Sequence, residues 1–159
     1  QGRPDAGLGL VGGHTASPTR SVKPNPGKGL DCWGQVGVDV YGGALLNPWF
    51  DRDLAIAGRV TLLTTSGELC STLFDSARPV AVVPSLAIHL DREANKQRSI
   101  NPQKDVVPLV MLGDAQQFDF KAWLAEPLTA QDSQWQDARV MDYALSLYDR
   151  SAPRRRRPR

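Results

Sequence analysis

Two histidines and a short acidic run are the residues of this chain that could take part in chemistry. His14 follows Val11-Gly12-Gly13 and precedes Ser17-Pro18, so it stands just beyond a short buried strand. Neutral imidazole is a common zinc ligand, and α/β enzymes keep their chemistry at the ends of buried strands. The position therefore indicates a metal ligand, and the alternative is a loop or buried histidine that binds no metal.

The other candidate residues can also be explained by structural roles. His89 lies in the apolar run Leu86–Leu90, which predicts a strand, and there it is expected to be a core or edge histidine. Asp51 and Asp53 could form a carboxylate pair on one side of a strand, but Arg52 between them favours a local ion pair and turn. Two cysteines are too few for a disulfide framework, which favours a reducing cytoplasm.

The elements that must position these residues are mostly strands. Alternating valines predict a half-buried strand over residues 33–41, and Ser66-Gly67 between two apolar runs predicts a hairpin over 59–74. Three prolines and three basic residues make 16–30 an expected exposed connection rather than an element. The remaining expectations are a short strand at 8–11, a strand lead-in or helical turn at 53–58, a helix at 115–126 and an alternating strand at 140–148.

Length and charge exclude several classes of function. The 159 residues suffice for one domain with a core, and no apolar run approaches the ~18 residues of a membrane span. The net charge of +2 is misleading, because the first 149 residues hold 13 basic against 17 acidic residues. Nucleic-acid binding by these 149 residues is therefore not expected. Residues 150–159 are rich in Arg and Pro and predict a disordered tail, with an out-of-frame origin or an acidic or nucleic-acid partner as alternatives.

Four runs in the chain, in order, carry a family resemblance. They are Gly12-Gly13-His14-Thr15 with Val22-Lys23-Pro24-Asn25-Pro26; Val36–Leu46 with Trp49–Leu54; Leu86–Arg92; and Asp142–Asp149. Together they span about residues 8–149 and resemble the aspartyl aminopeptidases of metallopeptidase family eighteen, above all the bacterial branch. One such run would be weak evidence, but four in the same order are specific.

The resemblance implies a cytoplasmic di-zinc aminopeptidase that removes N-terminal residues, with Asp and Glu preferred, from peptides. Its fold would be an α/β catalytic domain with an inserted β-rich dimerisation domain, assembled into large homo-oligomers. On that map residues 1–20 belong to the catalytic domain, 21–139 to the inserted domain and 140–149 to a returning strand. His14 matches the first zinc ligand, and His89 matches a histidine that reaches a neighbouring subunit's active site, where it can stabilise the transition state.

Two departures from the family pattern bear on activity. Ala16 stands where the family has an aspartate that orients the metal site, and Thr19-Arg20-Ser21 replaces Cys-Leu-Arg. The resemblance also implies that the bridging Asp, the paired Glu residues, a further Asp and the last His lie C-terminal to the matched region. The chain is therefore expected to be an inactive piece of the enzyme. A non-catalytic β-rich association module is the alternative function.

Overall fold

The architecture is a six-stranded antiparallel sheet with one helix packed on its core face. The computed structural model describes residues 12–13, 18–30, 32–113, 115 and 118–151. The strands are β1 (Thr19–Leu30), β2 (Trp33–Tyr41), β3 (Leu54–Leu63), β4 (Leu69–Asp75), β5 (Leu109–Leu112) and β6 (Arg139–Asp149), and the helix is α1 (Phe120–Gln131). Short 3-10 turns cover Asn47–Trp49 and Ser133–Trp135. Among these described residues, no helix has the length and apolarity that a membrane crossing needs.

The strands are ordered β4-β3-β6-β1-β2-β5, which places the last strand near the middle of the sheet. β6 pairs with β3 along its whole length, from Leu54 opposite Asp149 to Leu63 opposite Arg139. Single bridges join Ala81 to Leu54 and Val82 to Leu109, so the segment after β4 connects the starts of β3 and β5. The sheet is thus curled at this end, and the long connection from 84 to 108 lies beside it.

The core forms where the apolar face of the sheet meets α1. The helix buries Phe120, Leu124 and Leu128, which are spaced by one turn and so lie on one face. Asp119 begins the helix, because its carboxylate accepts hydrogen bonds from the backbone N–H groups of Lys121 (2.8 Å) and Ala122 (3.3 Å). The sheet contributes a continuous set of buried side chains: Val22, Val36, Val38, Leu54, Ile56, Val60, Leu62, Val140, Leu145 and Leu147.

Several predicted elements are confirmed. The hairpin over 59–74 is β3 and β4, joined by a turn in which Gly67 has φ of +83°. The predicted strands at 33–41 and 140–148 are β2 and β6, and residues 53–58 are the start of β3 rather than a helical turn. The predicted strand at 8–11 lies outside the described residues, and so does the tail beyond Ser151.

The prediction of an exposed connection at 16–30 is wrong, because β1 occupies most of it. Pro24 and Pro26 are accommodated where the pairing of β1 with β2 shifts register, between Val22 and Gly27. Proline cannot donate a ladder hydrogen bond, so this irregularity is where a strand tolerates it. Across the sheet, the Tyr143 hydroxyl lies 2.8 Å from the carbonyl oxygen of Lys23 and 2.9 Å from that of Pro24, within donating distance of both.

The strand predicted at Leu86–Leu90 is also wrong. The segment forms a turn, in which the N–H of Leu90 donates to the carbonyl of Ala87 at 2.8 Å, and His89 is exposed. Within the described ranges this run pairs with no neighbouring strand, and apolar composition alone cannot supply one. The helix predicted at 115–126 instead spans 120–131, because the Asp119 cap sets its start and Pro127 is tolerated inside it.

Candidate functional site

The metal-ligand candidate His14 and the adjacent Ala16 lie outside the described residues, so their geometry is not part of the structure. Gly12 and Gly13, just before them, are exposed. Within the described part of the chain, no three His, Cys, Asp or Glu side chains converge on a point that could hold a metal ion. These residues alone therefore do not make a zinc site, and no chemical step through zinc is derived from them.

His89 is the candidate that the structure does place, on the exposed turn Ala87–Asp91. Two hydrogen bonds close this turn, from the N–H groups of Leu90 (2.8 Å) and Asp91 (3.1 Å) to the carbonyl of Ala87. Among the described residues, no side chain or backbone group hydrogen-bonds to the imidazole. The exposed side chain is therefore available to a group that approaches from outside the sheet.

A groove of about 1070 Å³ lies beneath the His89 turn, between β5, the start of β3 and the 84–108 connection. Leu86 and Leu90, from either side of His89, line it together with Trp33 and Leu112. Leu90 is 75% exposed and Leu112 72% exposed, so the groove presents a continuous apolar surface. Its charged lining consists of Asp53, Asp91, Arg98, Lys104 and Asp105. Exposed apolar surface of this kind is typical of interaction sites.

The acidic run at 51–53 has the structural role that the sequence favoured. Asp51 adopts a left-handed backbone conformation (φ +56°), and its carboxylate accepts a hydrogen bond from the N–H of Ser85 at 2.8 Å. Hydrogen bonds from the side chain and backbone of Ser85 lower the pKa of Asp51, with a smaller contribution from the charge of Arg98. Arg52 pairs with Asp149 of β6, and the Asp53 carbonyl accepts from Arg150 N–H at 2.9 Å. The run therefore makes a turn and an ion pair, and no carboxylate pair.

The structure adds one residue that the sequence analysis did not select, Arg20. Its side chain is completely buried, its guanidinium lies 4.7 Å above the ring of Trp49, and none of its three nitrogens has a hydrogen-bond partner among the described residues. Burial lowers its pKa. Residues 20 and 22 alternate with exposed or half-buried neighbours, as the core face of a strand does. The prolines and basic residues of 16–30 nevertheless favour an exposed connection, so the sequence does not predict that Arg20 is buried.

Neither cysteine forms a disulfide, and Trp49 has a structural role. Cys32 is exposed and Cys70 is half-buried, and both are free. Phe50 is buried, and Trp49 is partly buried against the core, where it covers Arg20.

Comparison with known proteins links this arrangement to one family. The model of the aminopeptidase I zinc metalloprotease family (M18) matches residues 1–151. The probable M18 family aminopeptidase 2 of Ectopseudomonas mendocina is 50% identical over 146 residues, which are 91% of this chain and 34% of the relative. The chain thus spans about a third of the length of the curated relatives it matches.

Solved structures share the fold. The cryo-EM structure of the Ape4 and Nbr1 complex contains a chain that is 32% identical, with a TM-score of 0.72, over 87% of this chain and 29% of that one. The structure of the S. cerevisiae mApe1 dodecamer matches over 87% of this chain and 30% of that one, at 23% identity and a TM-score of 0.60. The antiparallel sheet with its helix is therefore a fold found in these proteins.

Proposed function

The chain belongs to the aminopeptidase I zinc metalloprotease (M18) family, and from this we propose that it contributes to a zinc-dependent aminopeptidase acting on peptides with acidic N-terminal residues. The observation that carries the proposal is the family match over residues 1–151, with 50% identity to a bacterial relative. Three parts of the chain have roles in this proposal: His14 as a zinc ligand, the β-rich domain as an association module, and His89 as a group acting on a neighbouring subunit.

The domain assignment is part of this proposal. Residues 1–20 belong to a di-zinc α/β catalytic domain, 21–139 to a β-rich domain inserted in it, and 140–149 to the strand that returns. In support, the sheet begins at Thr19, close to the first boundary. β6 lies at the middle of the sheet and pairs with β3 and β1, so the returning strand is also an integral part of the β-rich domain.

His89 is proposed to donate a hydrogen bond to charge that develops in the transition state in a neighbouring subunit. An exposed imidazole on a turn, without a hydrogen-bond partner among the described residues, has the accessibility that this role requires. Removing one such donor typically costs 10²–10³-fold in kcat. A histidine held inside the core could not play this part.

The wild-type chain by itself is proposed to be inactive. Ala16 cannot supply the carboxylate that orients the metal site, a loss that typically costs about 10–100-fold. Incubation of the 159-residue chain with zinc and Asp-Ala or Glu-Ala is expected to release no amino acid. Turnover of either dipeptide by the purified chain would contradict this expectation.

A transplant tests the role of His89. Residues 21–149 would replace the matching segment of the E. mendocina relative, which is 50% identical. The hybrid is expected to hydrolyse Asp-Ala and Glu-Ala faster than Leu-Ala. His89→Ala is expected to lower its kcat by about 10²–10³-fold, whereas Gln97→Ala, an exposed residue on the same connection, leaves it unchanged. Equal kcat for the His89 and Gln97 variants would overturn the proposal.

A second candidate function is a non-catalytic association module. The groove beside the His89 turn favours it, because the apolar side chains that line it are exposed in the isolated chain. The S. cerevisiae relative forms a dodecamer, which supports self-association through this fold as the simplest use of that surface. The two functions are compatible, since a histidine that acts on a neighbouring subunit needs an assembly.

A further inference from the structure

The His89 turn is exposed, yet its position relative to the sheet is specified by contacts at both of its ends. Its own hydrogen bonds close only one turn, between Ala87 and residues 90 and 91. An isolated turn of this length does not hold a fixed orientation, because one or two hydrogen bonds do not offset the entropy of ordering it. The contacts that fix the direction of the imidazole must therefore come from outside the turn.

The N-terminal end of the turn is held by Asp51. The N–H of Asp51 donates to the carbonyl of Val83 at 2.9 Å, and its carboxylate accepts from the N–H of Ser85 at 2.8 Å. One residue thus binds two alternate positions of the incoming chain, as a neighbouring strand would. The left-handed conformation of Asp51 (φ +56°) brings its backbone N–H and its carboxylate to the same side.

The C-terminal end of the turn is held by Arg98. Its Nε lies 3.2 Å from the carboxylate of Asp91, and its guanidinium lies 4.0 Å above the ring of Phe50. The side chains of Arg98 and Asp91 are only 18% and 22% exposed, so this pair is partly shielded from water. The guanidinium is planar; its edge pairs with the Asp91 carboxylate and its face stacks on Phe50. These two contacts together fix both the distance and the direction of the carboxylate.

Both attachments meet at one place, since Phe50 and Asp51 are consecutive residues. They lie shortly before β3, which begins at Leu54, and the backbone of Phe50 forms a bridge with Val83. Phe50 itself is a core residue. The two ends of the His89 turn are therefore tied to one short segment, which is fixed to the core by the buried side chain of Phe50.

We propose that Asp51 and Arg98 are positioning residues that hold the His89 turn in a fixed direction, so that the imidazole is presented to the neighbouring subunit's site in advance of binding. This inference rests on the proposed role of His89. Neither residue touches substrate, and both act through the backbone that carries His89. Presentation of a preordered donor avoids the cost of ordering it during the reaction.

The first test measures the order of His89 in the 159-residue chain by NMR relaxation and hydrogen exchange. Asp51→Gly removes the carboxylate but keeps a residue suited to the left-handed conformation, and Asp51→Asn restores an acceptor oxygen. Arg98→Met removes the charge at similar length. We expect faster motion of the His89 amide and ring in the Asp51→Gly and Arg98→Met variants. In Asp51→Gly, the Ser85 amide should exchange about tenfold faster. Asp51→Asn should recover the order of His89 and the protection of the Ser85 amide.

Arg52→Met is the matched control, because Arg52 pairs with Asp149 and does not contact the turn. Hydrogen exchange of core amides such as Val60 reports whether a variant has lost the fold. If the Asp51→Gly chain is unfolded, the Arg98→Met chain alone tests whether the turn is held. An unchanged His89 order in a folded Arg98→Met chain, or the same loss of order in Arg52→Met, would overturn the inference.

The second test uses the hybrid enzyme described above and separates positioning from stability. Arg98→Met and Asp51→Gly are expected to lower kcat by about tenfold or more with little change in KM, and Asp51→Asn to restore it. If both variants disorder His89 while kcat stays constant, the positioning role in the reaction is wrong. If His89→Ala itself has no effect on kcat, the proposed function of His89 fails, whereas the NMR result still decides whether the two residues hold the turn.

Discussion

At the scale of single residues, the least expected feature is a guanidinium buried in an apolar core. Arg20 is 0% exposed, covered by Trp49 and unpaired among the described residues. An uncompensated charge in such a place opposes folding, because its lost hydration is not replaced. The sequence resemblance had placed leucine at this position, and the orientation of β1 shows why an apolar residue suits it.

Replacement of Arg20 by leucine is therefore expected to stabilise the chain. Arg20→Leu keeps apolar contact with Trp49 and removes the buried charge, and should raise the free energy of unfolding by about 1–4 kcal/mol. Urea unfolding followed by tryptophan fluorescence measures the change. Arg59→Leu on β3, an exposed arginine, is the control and should change little. A less stable Arg20→Leu chain would mean that the guanidinium has a stabilising partner.

The second residue-scale expectation concerns Ala16. In a hybrid that carries residues 12–149 in the E. mendocina relative, Ala16→Asp is expected to raise kcat/KM by about 10–100-fold, because the proposed function assigns the orientation of the metal site to a carboxylate at this position. Ala16→Asn, which has the same shape without the charge, is the control and should recover less. Equal activity of the Ala, Asn and Asp hybrids would remove Ala16 as a cause of inactivity.

At the scale of elements, the long pairing of β3 with β6 depends on a glycine. Gly58 has φ of +152°, and a Cβ built on it would lie 2.1 Å from the carbonyl oxygen of Ala144 and 2.9 Å from the Cα of Leu145. These are backbone atoms of the paired strand, so they cannot move aside like a flexible side chain. The close approach of the two central strands therefore requires the absence of a side chain here.

Gly58→Ala is accordingly expected to lower the free energy of unfolding by about 3 kcal/mol, since the strands must separate locally to admit a methyl group. Gly43→Ala is the control, because a Cβ at Gly43 meets no atom within 4 Å. Denaturant midpoints of the two variants give the comparison. If both substitutions cost the same, the contact with Ala144 does not limit the pairing.

A second element, the irregular part of β1, depends on the Tyr143 phenol. Burial raises the pKa of Tyr143 to about 12, with smaller contributions from the charges of Asp142 and Asp119. The unfolded chain ionises near the ordinary value of 10.0, so the neutral phenol stabilises the fold fully below pH 10 and this contribution is lost as the pH rises towards 12. Tyr148 adds to the same trend, because its hydrogen bond to Asp75 raises its pKa.

Stability is therefore expected to decline between about pH 10 and pH 12. Tyr143→Phe should be less stable at neutral pH, since two carbonyls lose their donor, but should show a weaker alkaline decline. Unfolding curves at several pH values measure both effects, with Tyr41→Phe on the exposed end of β2 as control. An alkaline decline of the same steepness in the Tyr143→Phe chain would contradict this assignment.

At the scale of the whole molecule, the described residues form an apolar groove beside the His89 turn. It gathers Trp33 from β2, Leu112 from β5, and Leu86 and Leu90 from the 84–108 connection, and has a volume of about 1070 Å³. Only folding brings these side chains together. Exposed apolar grooves are typical of interaction sites, so self-association is the expected behaviour of the chain.

Light scattering after size-exclusion chromatography is expected to show an oligomer whose mass decreases on dilution. Leu90→Asp should weaken the association by tenfold or more, because it places a charge in the groove. Leu69→Asp on the edge strand β4 is the matched control, since Leu69 is 65% exposed and lies outside the groove. A monomer at all concentrations, or equal weakening by both substitutions, would argue against association through the groove.

The sequence by itself determined the family and most of the strands. Apolar residues that recur at every second position predict a strand without reference to distant segments. The hairpin, β2 and β6 were therefore predictable from the sequence. Ordered motifs identified the family, and the charge distribution in the first 149 residues argued against nucleic-acid binding. These are properties of short segments or of sums over the chain, which do not depend on how the segments pack.

Only the tertiary structure decided the placement of the functional candidates. The apolar run around His89 predicts a strand. A strand needs a partner strand, and the described part of the sheet offers none beside this run. β1 was missed because the pairing with β2 and the hydroxyl of Tyr143, more than a hundred residues away, accommodate its prolines. The attachment of the His89 turn to Phe50 and Asp51, and the burial of Arg20, likewise arise from contacts between distant segments, which no local pattern records.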